Sequence, residues 1–227
     1  ADVVLAANTV LRNRALVWGA KKAFVVPNLP DESFKPSVPP DEFKKKRGLE
    51  NNRIVLFVGK FTRVEGVPLL LETFKLIAAK RRDIVLVMVG DGPLMNYVKN
   101  RICELKLMSR VVLTGWVKRE EVANWISIAD VCVVPRVGGE ELRYYTSENI
   151  WKLNEYLSIG KIVVASGISD AWKNPNLIIV NPTPQSLAEA VINSLNLKAK
   201  RIEHFTWERI SEKIIRKAYL ELGLLKN

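Results

Sequence analysis

An α/β domain with a parallel sheet covered by helices on both faces is what this sequence predicts, and three observations predict it. From Arg53 onward, short aliphatic and β-branched runs alternate with stretches of helical period. The runs are apolar throughout rather than at every second position, as strands are when both faces of a parallel sheet are buried. Length and composition agree: 227 residues with 48% apolar content make one domain plus a substantial flanking piece.

In order along the chain, a short run Val3 to Leu5 leads into a helical stretch through Trp18, then Lys22 to Pro27 ending in Asn28-Leu29-Pro30-Asp31. Residues 31–52 are rich in proline and carry the basic run Lys44 to Arg47, which reads as a solvated linker rather than a nucleic-acid arm. The first strand–helix unit is Arg53 to Gly59 followed by Val67 to Lys80. It recurs as Asp83 to Gly90 with Leu94 to Leu105, and as Arg110 to Gly115 with Arg119 to Ala129. Asp130 to Pro135 is a further strand. After a polar loop come a helix around Ile150 to Ile159, strands Lys161 to Ser166 and Leu177 to Val180, and a helix from Gln185 to about Leu197. Trp207 to Leu222 is periodic enough for a closing amphipathic helix. This repetition is that of a Rossmann-like doubly wound domain.

Several function classes drop out. Two cysteines, Cys103 and Cys132, and one histidine, His204, leave no disulfide framework and no His/Cys zinc site. Asp91 has no carboxylate cluster beside it, so no bound metal is expected. The longest apolar run, Ile84 to Val89, is of strand length, far short of a membrane span. The opening Ala1 to Leu5 has neither a basic segment nor a Met, and reads as the start of a fragment whose preceding part is missing. Thirty-five Lys and Arg against 24 Asp and Glu give 35 − 24 = +11. These cations are spread along the chain rather than gathered in a stripe, so no nucleic-acid partner is expected, and the charge suits an anionic membrane face. A non-catalytic module binding anionic ligands is the reading that rests on charge alone.

In an open parallel sheet the ligand lies beyond the carboxyl ends of the strands, which points to four loops. Gly59 to Gly66 carries Lys60 and Arg63 just ahead of a helix, where glycine backbone, cations and a helix N-terminus suit a phosphate; taken alone, the loop reads more readily as an ordinary strand–helix turn. Gly90 to Pro93 is a second tight turn, with Pro93 at a first helical position. Gly115-Trp116-Val117 offers backbone groups and an indole to a flat base, unless Trp116 is a core or edge aromatic. The fourth loop runs from Pro135 to the helix holding Lys152 and Glu155. There Glu155 can accept hydrogen bonds from a ribose diol, and Lys152 with the helix N-terminus can hold a diphosphate. Alternatively, Glu155 is a capping glutamate and Lys152 a snorkelling lysine.

Taken together, these residues resemble the retaining GT-B glycosyltransferases of family 4. Ala1-Asp2-Val3 through Asp31 and Phe34-Lys35-Pro36 is similar to the stretch that ends the family's first domain. Gly59-Lys60 through Glu65-Gly66, Val89 to Pro93, Gly115 to Val117, Ala129 to Pro135, Lys152 to Ser166 and Phe205 to Glu208 match successive motifs of the second. The resemblance implies a tail of a first domain over residues 1–36, a linker at 37–52, a donor-nucleotide-binding domain at 53–204 and a C-terminal crossover helix at 205–227. It implies a hexosyltransferase acting with retention on a nucleoside diphosphate sugar, with no further cofactor, for a glycan or lipid-linked acceptor. The cell interior or the cytoplasmic membrane face is its implied place, and a separate N-terminal acceptor domain or complementing subunit its implied partner. The same two-domain fold also serves nucleotide-sugar epimerases, an alternative that the single histidine disfavours.

Carried over by position, Lys60 stands for the family's phosphate-binding arginine and Glu155 for its ribose-binding glutamate. Gly59, Arg63, Gly90, Gly115, Trp116, Val117, Ile150, Lys152 and Leu153 complete the expected donor site. Three positions depart from the pattern: Glu65 replaces the expected lysine, Ser147 a glutamate and Ile162 a proline.

Overall fold

The structure is a computed structural model, and it describes residues 1–139, 144–171, 173–200 and 206–225. Six strands form one parallel sheet: β3 (Arg53–Val58), β4 (Ile84–Val89), β5 (Val111–Gly115), β6 (Val131–Pro135), β7 (Ile162–Ser166) and β8 (Leu177–Val180). Their order is β5-β4-β3-β6-β7-β8, every neighbouring pair parallel. The chain therefore winds outward from β3 through β4 to β5, returns to the centre, and winds the other way from β6. The reversal falls between β3 and β6, where Val55 pairs with Val131 and Leu56 with Cys132.

Two apolar layers confirm why the strands are apolar on both sides. On one face, Val55, Phe57, Leu86 and Val133 pack under α3 (Val67–Lys80), α4 (Met95–Glu104) and α7 (Pro184–Ser194). On the other, Ile54, Leu56, Val87, Cys132 and Val163 pack under α5 (Arg119–Ser127) and α6 (Trp151–Ser158). At the amino ends, Asp130 accepts the Ile54 amide at 2.7 Å and pairs with the Arg53 guanidinium at 2.7 Å, which fixes the register of the two central strands.

The first residues form a separate βαβ unit: β1 (Val3–Ala6), α1 (Thr9–Val17) and β2 (Lys22–Val25), with β1 and β2 parallel. The proline-rich stretch departs from the linker expectation, because α2 (Pro40–Lys46) forms within it. Its one apolar residue, Phe43, is 5% exposed and meets Trp125 edge-on at 5.1 Å, so the basic run rides on a helix docked to α5 rather than on a solvated connector. Helix α4 begins at Met95, two residues beyond Pro93, which lies in the preceding turn. The closing helix is broken into α8 (Trp207–Ile210), a π-helical turn Ser211–Ile215 and α9 (Arg216–Glu221). Phe205, His204 and the segment 140–143 of the polar loop lie outside the described residues.

Candidate functional site

The glycine turns after β3, β4 and β5 lie side by side on the carboxyl rim of the sheet. The Gly59 amide donates to Val89 O and the Gly90 amide to Gly115 O, both at 2.9 Å. Closeness explains the glycines: a Cβ on Gly90, at φ +130°, would stand 2.1 Å from Gly59 O. Phe61 and Asp91 continue the seam, with the Phe61 amide donating to Asp91 O at 2.8 Å. Lys60 and Arg63 project to solvent from this rim. Trp116 is 79% exposed, which removes the core reading of its indole, while Val117 packs on the apolar layer beneath α5.

Helix α6 enters from the far side of the crevice between β3 and β6. Ile150, Leu153 and Tyr156 turn into the core, at 3%, 0% and 0% exposure, and the Tyr156 hydroxyl accepts the Val58 amide at 2.7 Å. The side chains of Ile150 and Leu153 anchor α6, which leaves their backbone to meet a ligand. Burial raises the Tyr156 phenol well above its ordinary range, so this hydroxyl stays protonated.

Glu155 is 7% exposed and is held by Arg119, whose Nη1 donates to Oε1 at 2.8 Å. Burial raises the Glu155 pKa, and the Arg119 charge and hydrogen bond pull it back down. This arginine belongs to no sequence motif. Its Nη2 also reaches Asp31 at 3.4 Å and its guanidinium lies 4.8 Å from the Phe34 ring centre, so it joins α6 to the segment that follows the βαβ unit. Glu155 is therefore a carboxylate positioned by Arg119, not a helix cap, since Ile150 occupies the N-cap of α6.

Lys152 corrects the sequence reading most sharply. It neither snorkels nor faces solvent: it is 8% exposed and pairs with Glu65, the residue standing where the family pattern has a lysine. Its ammonium lies beneath the first glycine turn, 2.8 Å from where a Cβ on Gly59 would be, and 4.2 Å from the Phe57 ring centre. Arg136, directly after β6, pairs with the same carboxylate at 2.6 Å. Only its place just beyond an apolar strand signalled it in the sequence. Desolvation lowers the Lys152 pKa, with Glu65 opposing.

A second departure, Ser147, is fully buried, its amide donating to Ser169 O and its Oγ accepting the Ala171 amide, both at 2.9 Å. Its neighbour Glu148 instead accepts the Thr9 amide at 2.7 Å and the Thr9 hydroxyl at 2.8 Å, seating a carboxylate at the positive end of α1. Asn154 adds to this tie by donating to Asn28 O at 2.7 Å.

Residues 52–196 match the model of a family described as Glycosyl transferases group 1. Spore coat protein SA of Bacillus subtilis is 25% identical over 201 residues, covering 77% of this chain and 51% of its own length. A UDP-Gal:alpha-D-GlcNAc-diphosphoundecaprenol alpha-1,3-galactosyltransferase of Escherichia coli is 35% identical over 120 residues, 50% of this chain and 30% of its own. Among solved structures, a glycosyltransferase from Rickettsia africae superposes with a TM-score of 0.76 at 20% identity, over 97% of this chain and 64% of its own. Anabaena HepE in complex with UDP does so with a TM-score of 0.73 at 18% identity over the same shares. The chain spans about half or less of these curated relatives and under two thirds of the solved structures, which share its fold.

Proposed function

The chain belongs to the glycosyl transferases group 1 family, and on that footing we propose that it is the donor-binding half of a retaining hexosyltransferase using a nucleoside diphosphate sugar. The observation that supports this is that α6, which carries both Lys152 and Glu155, brings the Lys152 ammonium against the Gly59 turn at the end of β3, next to β6 where the strand order reverses. The crevice at that reversal is where doubly wound sheets take nucleotides. The ionised Glu155 accepts from both ribose hydroxyls, the exposed Trp116 offers a face to the base, and the backbone of Gly59, Gly90 and Gly115 lets the diphosphate approach closely. Lys60, Arg63 and the N-terminus of α3 then stabilise the charge that develops on the departing diphosphate. The motif resemblance is the ground for retention.

The acceptor half is supplied by chain beyond this one. The support is the βαβ unit: a two-stranded parallel sheet needs cover on both faces, yet Leu5 on β1 is 48% exposed, and Val17 and Trp18 at the end of α1 are 84% and 73% exposed. A glycan or lipid-linked acceptor follows from the relative named for a diphosphoundecaprenol substrate, and the net charge of +11 suits work at a cytoplasmic membrane face. No helix among the described residues is long and apolar enough to cross a membrane. The test is calorimetric and thermal-shift titration with UDP, GDP, ADP and their sugars. One nucleotide is expected to stabilise the chain by about 2.7 kcal/mol at a hundredfold excess over Kd, and Lys60→Ala and Glu155→Ala to reduce this. Silence towards every nucleotide would sink the donor reading and leave the anion-binding module.

A further inference from the structure

Glu65, Lys152 and Arg136 come from three places in the sequence and meet at the crevice. Glu65 precedes α3, Lys152 lies in the first turn of α6, and Arg136 follows β6. Lys152 Nζ and Arg136 Nη2 both end on the one Glu65 carboxylate. Two cations against one anion leave an excess positive charge, and the cations are only 8% and 5% exposed. Arg136 is under-used as well: its Nε and Nη1 are buried and have no hydrogen-bond partner among the described residues, while its guanidinium stacks 4.0 Å from the Tyr145 ring centre. A buried cluster with surplus charge and idle N–H donors is costly unless a second anion completes it.

A carboxylate held between a lysine and an arginine presents the same chemistry as a phosphate held there: two oxygens and a negative charge on charge-assisted donors. We propose that Glu65 is a built-in anion occupying the position between Lys152 and Arg136 that a phosphate group of the ligand takes, and that binding displaces it. This rests on the donor reading above and adds Arg136 to the residues that hold the diphosphate. Glu65 is the least enclosed of the three, its side chain 19% exposed, and it follows directly on the solvent-facing Arg63 and Val64. The affinity of this chain for a diphosphate is then set by the exchange of one anion for another.

Titration calorimetry of the whole chain with inorganic pyrophosphate and with the stabilising nucleoside diphosphate tests this. Glu65→Gln, which keeps the shape and removes the charge, is expected to bind pyrophosphate at least about tenfold tighter than wild type. Arg136→Met is expected to bind it about tenfold weaker. Equal or weaker binding by Glu65→Gln, or unchanged binding by Arg136→Met, overturns the proposal. Should Glu65→Gln fail to fold, Glu65→Asp, whose shortened side chain cannot span both cations, is expected to tighten binding in its place, and no tightening counts against the exchange. Binding by wild type that Glu65→Gln leaves unchanged defeats this inference alone, whereas silence of wild type and variants alike defeats the donor reading with it. Silence of wild type towards pyrophosphate alone, with binding of it by Glu65→Gln, supports the exchange.

Discussion

Arg119 shows how much of the site depends on single side chains that no motif marks. Burial works against an ionised Glu155, and Arg119 is the counter-charge that favours its ionised form. Under the proposed function, ribose binding through this carboxylate is expected above its raised pKa and is expected to be lost as pH falls through it. Arg119→Ala removes the lowering influence, so the acid limb of nucleotide binding should move to higher pH and neutral-pH affinity should drop about tenfold, as for a lost charge-assisted hydrogen bond. Arg119→Lys should recover part of both. Calorimetry across the mildly acidic to neutral range reads this directly, and an unmoved acid limb in Arg119→Ala would detach the arginine from the carboxylate's role. The sequence made Glu155 visible through its motif, but not Arg119 or the fate of Lys152. Each is decided by a partner far along the chain, Glu155 for one and Glu65 for the other, and neither spacing nor periodicity encodes such meetings.

Elements were legible in proportion to how much apolar surface they bury. Ile84 to Val89 is buried at every position and its bounds read directly from the sequence. Helix α2 was hidden because Phe43 is its one buried residue, although Pro40 at the first helical position, Asp41 and Glu42 in the first turn, and Lys44 to Lys46 in the last are helix signals in their own right. Lys residues in such a run read as a linker when hydrophobic period is the criterion. The seating of α3 gives a sharper test. Its N-cap, Gly66, has φ +76°, and a Cβ there would lie 1.5 Å from Pro135 O, so any side chain must part α3 from the end of β6. Gly66→Ala should therefore cost at least about 3 kcal/mol, lowering Tm by roughly 6–12 °C. Gly160, also at φ +76° but with nothing within 4 Å, isolates the conformational part, and Gly160→Ala should cost about 1 kcal/mol. Equal losses in the two variants, measured by thermal unfolding, would show that contact with β6 is not what seats α3.

At the scale of the whole molecule, the doubly wound architecture and the apolar layers on both its faces were legible, since they follow from fully apolar strands and alternating helices. The attachment of the βαβ unit was not: it depends on Glu148 at the start of α1 and on Asn28 against Asn154, polar contacts without a periodic signature. The chain as a whole is expected to bind a nucleoside diphosphate without transferring sugar. Transfer to any acceptor above the rate in buffer, followed by release of the free diphosphate, would show that an acceptor half is not required. The position of β6 beside β3 has its own consequence for how the molecule comes into being. During synthesis the strands β3, β4 and β5 leave the ribosome first and can pair among themselves, but the inner edge of β3 stays open until β6 follows. That edge consists of backbone donors and acceptors flanked by Ile54 to Phe57, all destined for burial, and an open apolar edge is the kind that recruits other chains. The closure of the sheet across Val55 and Val131 is a late, long-range event, so nascent chains paused before β6 are the ones most exposed to misassembly.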